Sequence, residues 1–153
     1  MSKSSRPLFR IAEVVPHSGT MSLLDEVVDY GADWIQAKLV ITPRSLFANP
    51  KGVPSWIGIE YMAQTVAAYA GVRRRLQDQQ AVIGFLVGIR QYHCNCAHFA
   101  IGSELLISAN LDFESDNGLG SFQCTIRSEG IAADASVNVF QPDDADEFLK
   151  NEI

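Results

Sequence analysis

A single carboxylate stands in the most apolar stretch of this chain. Glu60 lies within Trp56-Ile57-Gly58-Ile59-Glu60-Tyr61-Met62-Ala63-Gln64-Thr65-Val66-Ala67-Ala68-Tyr69-Ala70. Burying even a neutral polar group without a partner costs on the order of 2–7 kcal/mol, and a charge costs more. A carboxyl in such surroundings tends towards a raised pKa, which suits proton transfer near neutral pH. Gln64 follows four residues later, one turn along the same helix face. A carboxylate beside an amide is either half of a proton-handling site or a structural polar pair, and the residues alone leave both open. The histidines are His17, His93 and His98. His17 sits in the turn Pro16-His17-Ser18-Gly19-Thr20, where a scaffold can hold a functional side chain, although a solvent-exposed turn histidine is the plainer reading. His93-Cys94-Asn95-Cys96-Ala97-His98 invites a metal. On a strand, Cys94, Cys96 and His98 share one face, but no second ligand pair of the kind found in zinc sites accompanies them. An ordinary strand carrying cysteines is expected, with no metal.

The elements that must position these residues follow from periodicity and turn signals. Ser22–Tyr30 and Trp34–Ile41 read as strands around a Gly31-Ala32-Asp33 turn. Residues 42–55, with three prolines, form a loop. A long helix runs from about Ser55 to Gln77, apolar around most of its circumference up to Val72, which marks it as buried. Arg73-Arg74-Arg75 closes it where the helix dipole favours cations. Ala81–Cys96, Glu104–Phe113, Ser121–Ser128 and Ile131–Phe140 read as strands, with Asn117-Gly118 and Glu129-Gly130 as hairpin turns. Two strands, a buried helix and four strands predict an α+β domain with the sheet wrapped over the helix. A sheet covers only one side of such a helix, so the remaining apolar surface and the sheet edges favour dimerisation. Residues 1–10 read as a flexible leader, 11–141 as the domain and 142–153 as an acidic tail.

Whole-chain properties narrow the functional classes. The 153 residues fit one domain, and 47% apolar content supplies a core. A net charge of −6 argues against binding nucleic acid through phosphate neutralisation. No apolar run reaches the roughly 18 residues of a membrane span, and no signal peptide is evident. Three cysteines, an odd number, fit reduced thiols in a cytoplasm. Phosphate-binding glycine motifs and the nucleophile elbow are absent. The start of the helix, after Gly52-Val53-Pro54-Ser55, can point backbone N–H groups at a carbonyl or anion; Ser55 as a plain N-cap is the simpler role.

Gly58-Ile59-Glu60-Tyr61-Met62-Ala63-Gln64 resembles the E-x-M-A-Q helix of the β-hydroxyacyl-acyl-carrier-protein dehydratases, the FabA/FabZ-like hot-dog proteins. Val15–Asp25 resembles their P-H-x-x-x-M-x-L-L-D segment, Ala81–Arg90 the strand after the helix, and Ile101-Gly102-Ser103-Glu104-Leu105 a V-x-P-G-D-x-L turn. The likeness spans roughly residues 11–140. Val53–Glu60 is most similar to a divergent subgroup associated with aryl-polyene-type pathways. The resemblance implies a hot-dog fold and loss of water from a 3-hydroxyacyl thioester, giving a trans-2-enoyl thioester. It places Glu60 as the carboxylate that handles the departing hydroxyl, Gln64 as its hydrogen-bonding neighbour, and Ser55 as the N–H that polarises the thioester carbonyl. The family's H-F-P-G histidine is missing. Leu46-Phe47-Ala48-Asn49-Pro50-Lys51-Gly52 stands there instead, with Asn49 nearest its place and unable to act as a base. His17 is then the expected imidazole, with Asn49 and Gly52 lining the substrate site.

The resemblance implies no cofactor. Its expected partner is an acyl carrier protein, approached through a local basic patch at Arg44, Lys51 or Arg73-Arg74-Arg75, although a solvated helix end is the plainer reading of the arginine run. The expected assembly is a homodimer or a heterodimer with a related dehydratase. Two other functions stay open: a hot-dog thioesterase using Glu60 against the same thioesters, and a non-catalytic partner of an active dehydratase.

Overall fold

The computed structural model describes residues 23–76, 85–116 and 118–140. Strands β1 (Glu26–Tyr30) and β2 (Trp34–Val40) form the first hairpin. A two-residue strand, β3 (Val53–Pro54), leads into a 3-10 turn at Ser55–Ile57 and the helix α1 (Gly58–Leu76). Then come β4 (Phe85–Cys94), the short β5 (His98–Phe99), β6 (Glu104–Glu114), β7 (Leu119–Ser128) and β8 (Ile131–Phe140). The expected strands are all present among the described residues. The first begins at Glu26 rather than Ser22, Ala81–Gly84 and Gln77 lie outside the described residues, and β3 and β5 are additions. The strand expected through Cys96 stops at Cys94, because the chain bends to start β5.

Six strands make one antiparallel sheet in the order β1-β2-β6-β7-β8-β4. Period-two alternation explains its two faces. Ile35, Ala37, Leu39, Leu105, Ile107, Ala109, Phe122, Cys124, Ile126, Ala133, Ala135 and Val137 point inward and are buried. Each large aliphatic among them contributes about 1.5–3 kcal/mol by leaving water. The alternate positions, such as Gln36, Ser108, Gln123 and Asp134, carry the polar outer face, which leaves only one face for a helix to cover.

Helix α1 fills the concave face. Tyr61, Met62, Gln64, Thr65, Val66, Ala68, Tyr69 and Val72 are buried. Ile59, Glu60, Ala63, Ala67 and Ala70 are only half-buried and form a stripe on the side away from the sheet. One helix packed against a large antiparallel sheet is the hot-dog arrangement, so the α+β expectation holds.

Candidate active site

Gln64 is the anchor of the site. Its side chain is fully buried, and its Oε1 accepts the Leu23 N–H at 2.9 Å. That contact orients the amide, because only the oxygen end can accept. The Nε2 end then donates to Glu60 Oε1 at 3.2 Å. The four-residue spacing therefore does what it predicts, and the amide also ties the segment before β1 to the helix. Glu60 is half-buried in the first turn of α1.

The start of the helix is clamped from several sides. Pro54 pairs with His98 and Val53 with Phe99 across β3–β5. The Ser55 N–H donates to the Ala97 carbonyl at 2.9 Å, and the Tyr92 hydroxyl donates to the Ser55 carbonyl at 2.6 Å. This corrects the expectation that the Ser55 N–H faces a substrate carbonyl, since it is already committed. Ser55 is not a side-chain N-cap either: it is the first residue of the 3-10 turn, and that turn has no side-chain cap. No local sequence signal marks Tyr92. It reaches the helix because β4 bulges between Arg90 and His93, with Gln91 in the left-handed region at φ 55°. Burial, then the neighbouring Cys94, push the Tyr92 phenol well above its ordinary value. Gly58 is required here, because a β-carbon would run into the Tyr92 hydroxyl, and Phe99 and Ile126 leave it no other room.

The loop ahead of the helix is tied to itself. Asn49 and Gly52 exchange backbone bonds of 2.9 and 2.8 Å, and Asn49 Oδ1 accepts the Lys51 N–H at 2.8 Å. Gly52 has φ +117°, and a side chain there would meet the Phe99 carbonyl oxygen. Both residues thus have structural work in shaping the loop. Phe47, with φ 66°, and Trp56 are more than half exposed, with ring centroids 5.6 Å apart. Behind the loop, a cleft of about 290 Å³ is lined by residues including Leu23, Asp25, Thr42, Arg44 and Tyr61. Tyr61 is buried against Phe99, and desolvation pushes its phenol up to about 12.

His17 lies outside the described residues. It precedes Leu23, the residue fastened to Gln64, by six positions. His93 is exposed on β4, and His98 is half-buried on β5. Among the described residues no group of three or more His, Cys, Asp or Glu side chains is arranged to hold a metal ion. Arg73 is not a free docking cation: it pairs with Glu114 at 2.8 Å and lies over the Tyr69 ring. Arg44 and Lys51 are exposed beside the loop. Among the described residues, no helix is long and apolar enough to cross a membrane.

Comparison with known proteins bears on the fold and the family. No curated protein sequence matches the chain. Among solved structures, the dehydratase heterocomplex ApeI:P from Xenorhabdus doucetiae superposes with a TM-score of 0.82 at 24% identity, covering 94% of this chain and 97% of that one. The E. coli PaaI protein of the phenylacetic acid degradation operon gives 0.56 at 10% identity, over 75% and 81% of the two chains. A hypothetical thioesterase from Streptococcus pneumoniae TIGR4, solved with coenzyme A, gives 0.59 at 9% identity, over 75% and 83%. At such identities these likenesses speak for the fold. The sequence itself matches the ApeP-like family, the ApeP dehydratases, across residues 9–150. With that match over nearly its whole length, the chain belongs to the ApeP-like family of hot-dog dehydratases.

Proposed function

We propose that this protein removes water from a 3-hydroxyacyl thioester carried by an acyl carrier protein, in fatty-acid or polyene-type polyketide synthesis. A base takes the proton from C2, the C2–C3 double bond forms, and the hydroxyl leaves C3 as water with a proton from the Glu60 carboxyl. The observation that carries this reading is the Leu23–Gln64–Glu60 chain of hydrogen bonds. It holds one carboxyl at the helix start through an amide that has no freedom to turn. His17 is the base in this reading. Ser55 contributes through its hydroxyl, which has no hydrogen-bond partner among the described residues. Asn49 and Gly52 act through the shape of the loop, and Arg44 and Lys51 meet the acidic carrier.

A heteromeric site is the second reading, and one observation favours it. The loop before the helix holds no histidine, while the half-buried stripe Ile59, Ala63, Ala67 and Ala70 and the exposed Trp56 and Phe47 offer apolar surface to a second hot-dog chain. The similar Xenorhabdus structure is the dehydratase heterocomplex ApeI:P. In this arrangement a related dehydratase completes the site. The test is to incubate the protein, alone and with a related hot-dog dehydratase, with 3-hydroxyacyl carrier-protein substrates and follow loss of one water by mass. Dehydration by the protein alone that is abolished in both His17→Ala and Glu60→Ala supports the first reading. Dehydration only in the mixture, lost with Glu60→Ala but not His17→Ala, supports the second. Release of free carrier thiol without an enoyl product overturns both in favour of thioester hydrolysis.

A further inference from the structure

Cys94 and Cys96 hold their sulfurs 3.6 Å apart, and both are half-buried. The residue between them is pinned. The Asn95 N–H donates to the Ala132 carbonyl at 3.1 Å, its Oδ1 accepts the Ala132 N–H at 3.0 Å, and its Nδ2 donates to the Gly130 carbonyl at 3.1 Å. Three hydrogen bonds to the β7–β8 hairpin therefore fix the turn of chain that points both thiols the same way. Two residues of extended chain span about 6.4–6.8 Å, within the roughly 4.4–6.8 Å Cα separation that a disulfide bridges. Cys124, in contrast, is buried in the sheet, where desolvation pushes its thiol up to about 12.

We propose that Cys94 and Cys96 are a redox-active dithiol that takes a low-molecular-weight disulfide as oxidant and closes reversibly into an intramolecular disulfide. The Cys94 thiolate attacks one sulfur of the small disulfide and expels one thiolate. Cys96, after giving up its proton, attacks Cys94 Sγ of the mixed disulfide and expels the second. The two protein thiols are oxidised, the small disulfide is reduced, and the two protons given up by Cys94 and Cys96 pass through solvent to the expelled thiolates, which leave as two small thiols. The ring so closed is short and strained, which makes it easily reduced again. Burial, followed by the contact with Cys94, pushes the Cys96 thiol up to about 11, so it keeps its proton until the second step. The pair lies within the clamp on the helix start: Tyr92 holds the Ser55 carbonyl from one side of it and Ala97 takes the Ser55 N–H from the other. Drawing the sulfurs together pulls on both contacts and loosens the turn that presents Glu60.

The test uses the full chain and oxidised glutathione, and none of its readouts needs a substrate, so an inactive dehydration assay leaves it standing. After treatment, alkylation of the denatured protein should label Cys124 alone, and the peptide holding Cys94 and Cys96 should be lighter by two hydrogens. Amide exchange at Gly58–Tyr61 should rise and return on adding dithiothreitol. Cys94→Ser should show no adduct at Cys96 near neutral pH, whereas Cys96→Ser should accumulate glutathione at Cys94. Full alkylation of all three cysteines, or a stable adduct in the unsubstituted protein, overturns the dithiol. A closed disulfide with unchanged exchange at Gly58–Tyr61 overturns its coupling to the helix.

Discussion

The two ends of helix α1 are held by different physics. At the start, Ser55–Gln64 is fastened by contacts that arrive from three separate segments: Leu23, Tyr92, and the stretch holding Ala97 and Phe99. At the far end, the ties are the Tyr69 hydroxyl on the Ala32 carbonyl at 2.6 Å, the edge-on packing of Tyr69 against Phe122, and an exposed ion pair between Arg73 and Glu114. The ties from Leu23, Tyr92 and Ala97 at the first end each engage a backbone group. The ion pair at the second end has water as a ready substitute. The lesson is that the start of the helix is built to hold a geometry, whereas the end is built only to stay attached.

Substitutions can break that contrast. The largest effect is expected at Glu60. Glu60→Gln keeps the shape and removes the titratable proton, so dehydration should fall by about 10²–10⁴-fold with little change in melting temperature. A normal rate from this variant would reduce the clamped end to a structural feature. Gly58→Ala comes next. Its methyl group must displace Tyr92, an overpacking cost of about 1–3 kcal/mol, seen as a lower denaturation midpoint. Gln64→Leu takes the acceptor from the half-buried Leu23 N–H, at up to about 1–3 kcal/mol, and also releases Glu60. Arg73→Ala, at the other end, should cost less than about 1 kcal/mol and lose even that in high salt. An Arg73 effect as large as that of Gly58 would erase the distinction.

Alkaline pH sharpens the same comparison. Below pH 10 the tyrosines are neutral in both the folded and unfolded chain. Between pH 10 and about 12 the unfolded chain releases the Tyr61 proton while the folded chain still holds it, so the folded state binds more protons and stability falls as pH rises. Tyr69 is also raised by burial, but the charge of Arg73 works against that rise. Tyr61→Phe should therefore flatten the alkaline loss of stability more than Tyr69→Phe, measured as the slope of unfolding free energy against pH. Equal slopes would show that the two ends are desolvated alike.

Much of this was legible in the chain. Alternation of apolar residues marks β2, β6, β7 and β8 because each has one wet face, and the Glu129-Gly130 turn carries the positive φ, 73° at Gly130, that its residues predict. The Glu60–Gln64 pair is a local consequence of helical pitch. The E-x-M-A-Q likeness led to the right family for the same reason: it is a contiguous string. Less legible was the end of β4. A strand through Cys96 is what the pattern of side chains suggests, yet the chain must bend there to bring His98 beside Pro54.

By itself, then, the sequence determined the elements, the buried helix and the carboxylate on it, since these depend on periods of two and 3.6 residues and on neighbours within one turn. Only the tertiary structure decided where the remaining hydrogen bonds go. Gln64 finds its donor 41 residues away at Leu23, and the Tyr92 hydroxyl reaches Ser55 across 37. The Ser55 N–H, a promising donor when read along the chain, is taken by Ala97 once β3 and β5 meet. No local pattern encodes such pairings, because a buried polar group must take whichever partner the packed sheet brings within reach.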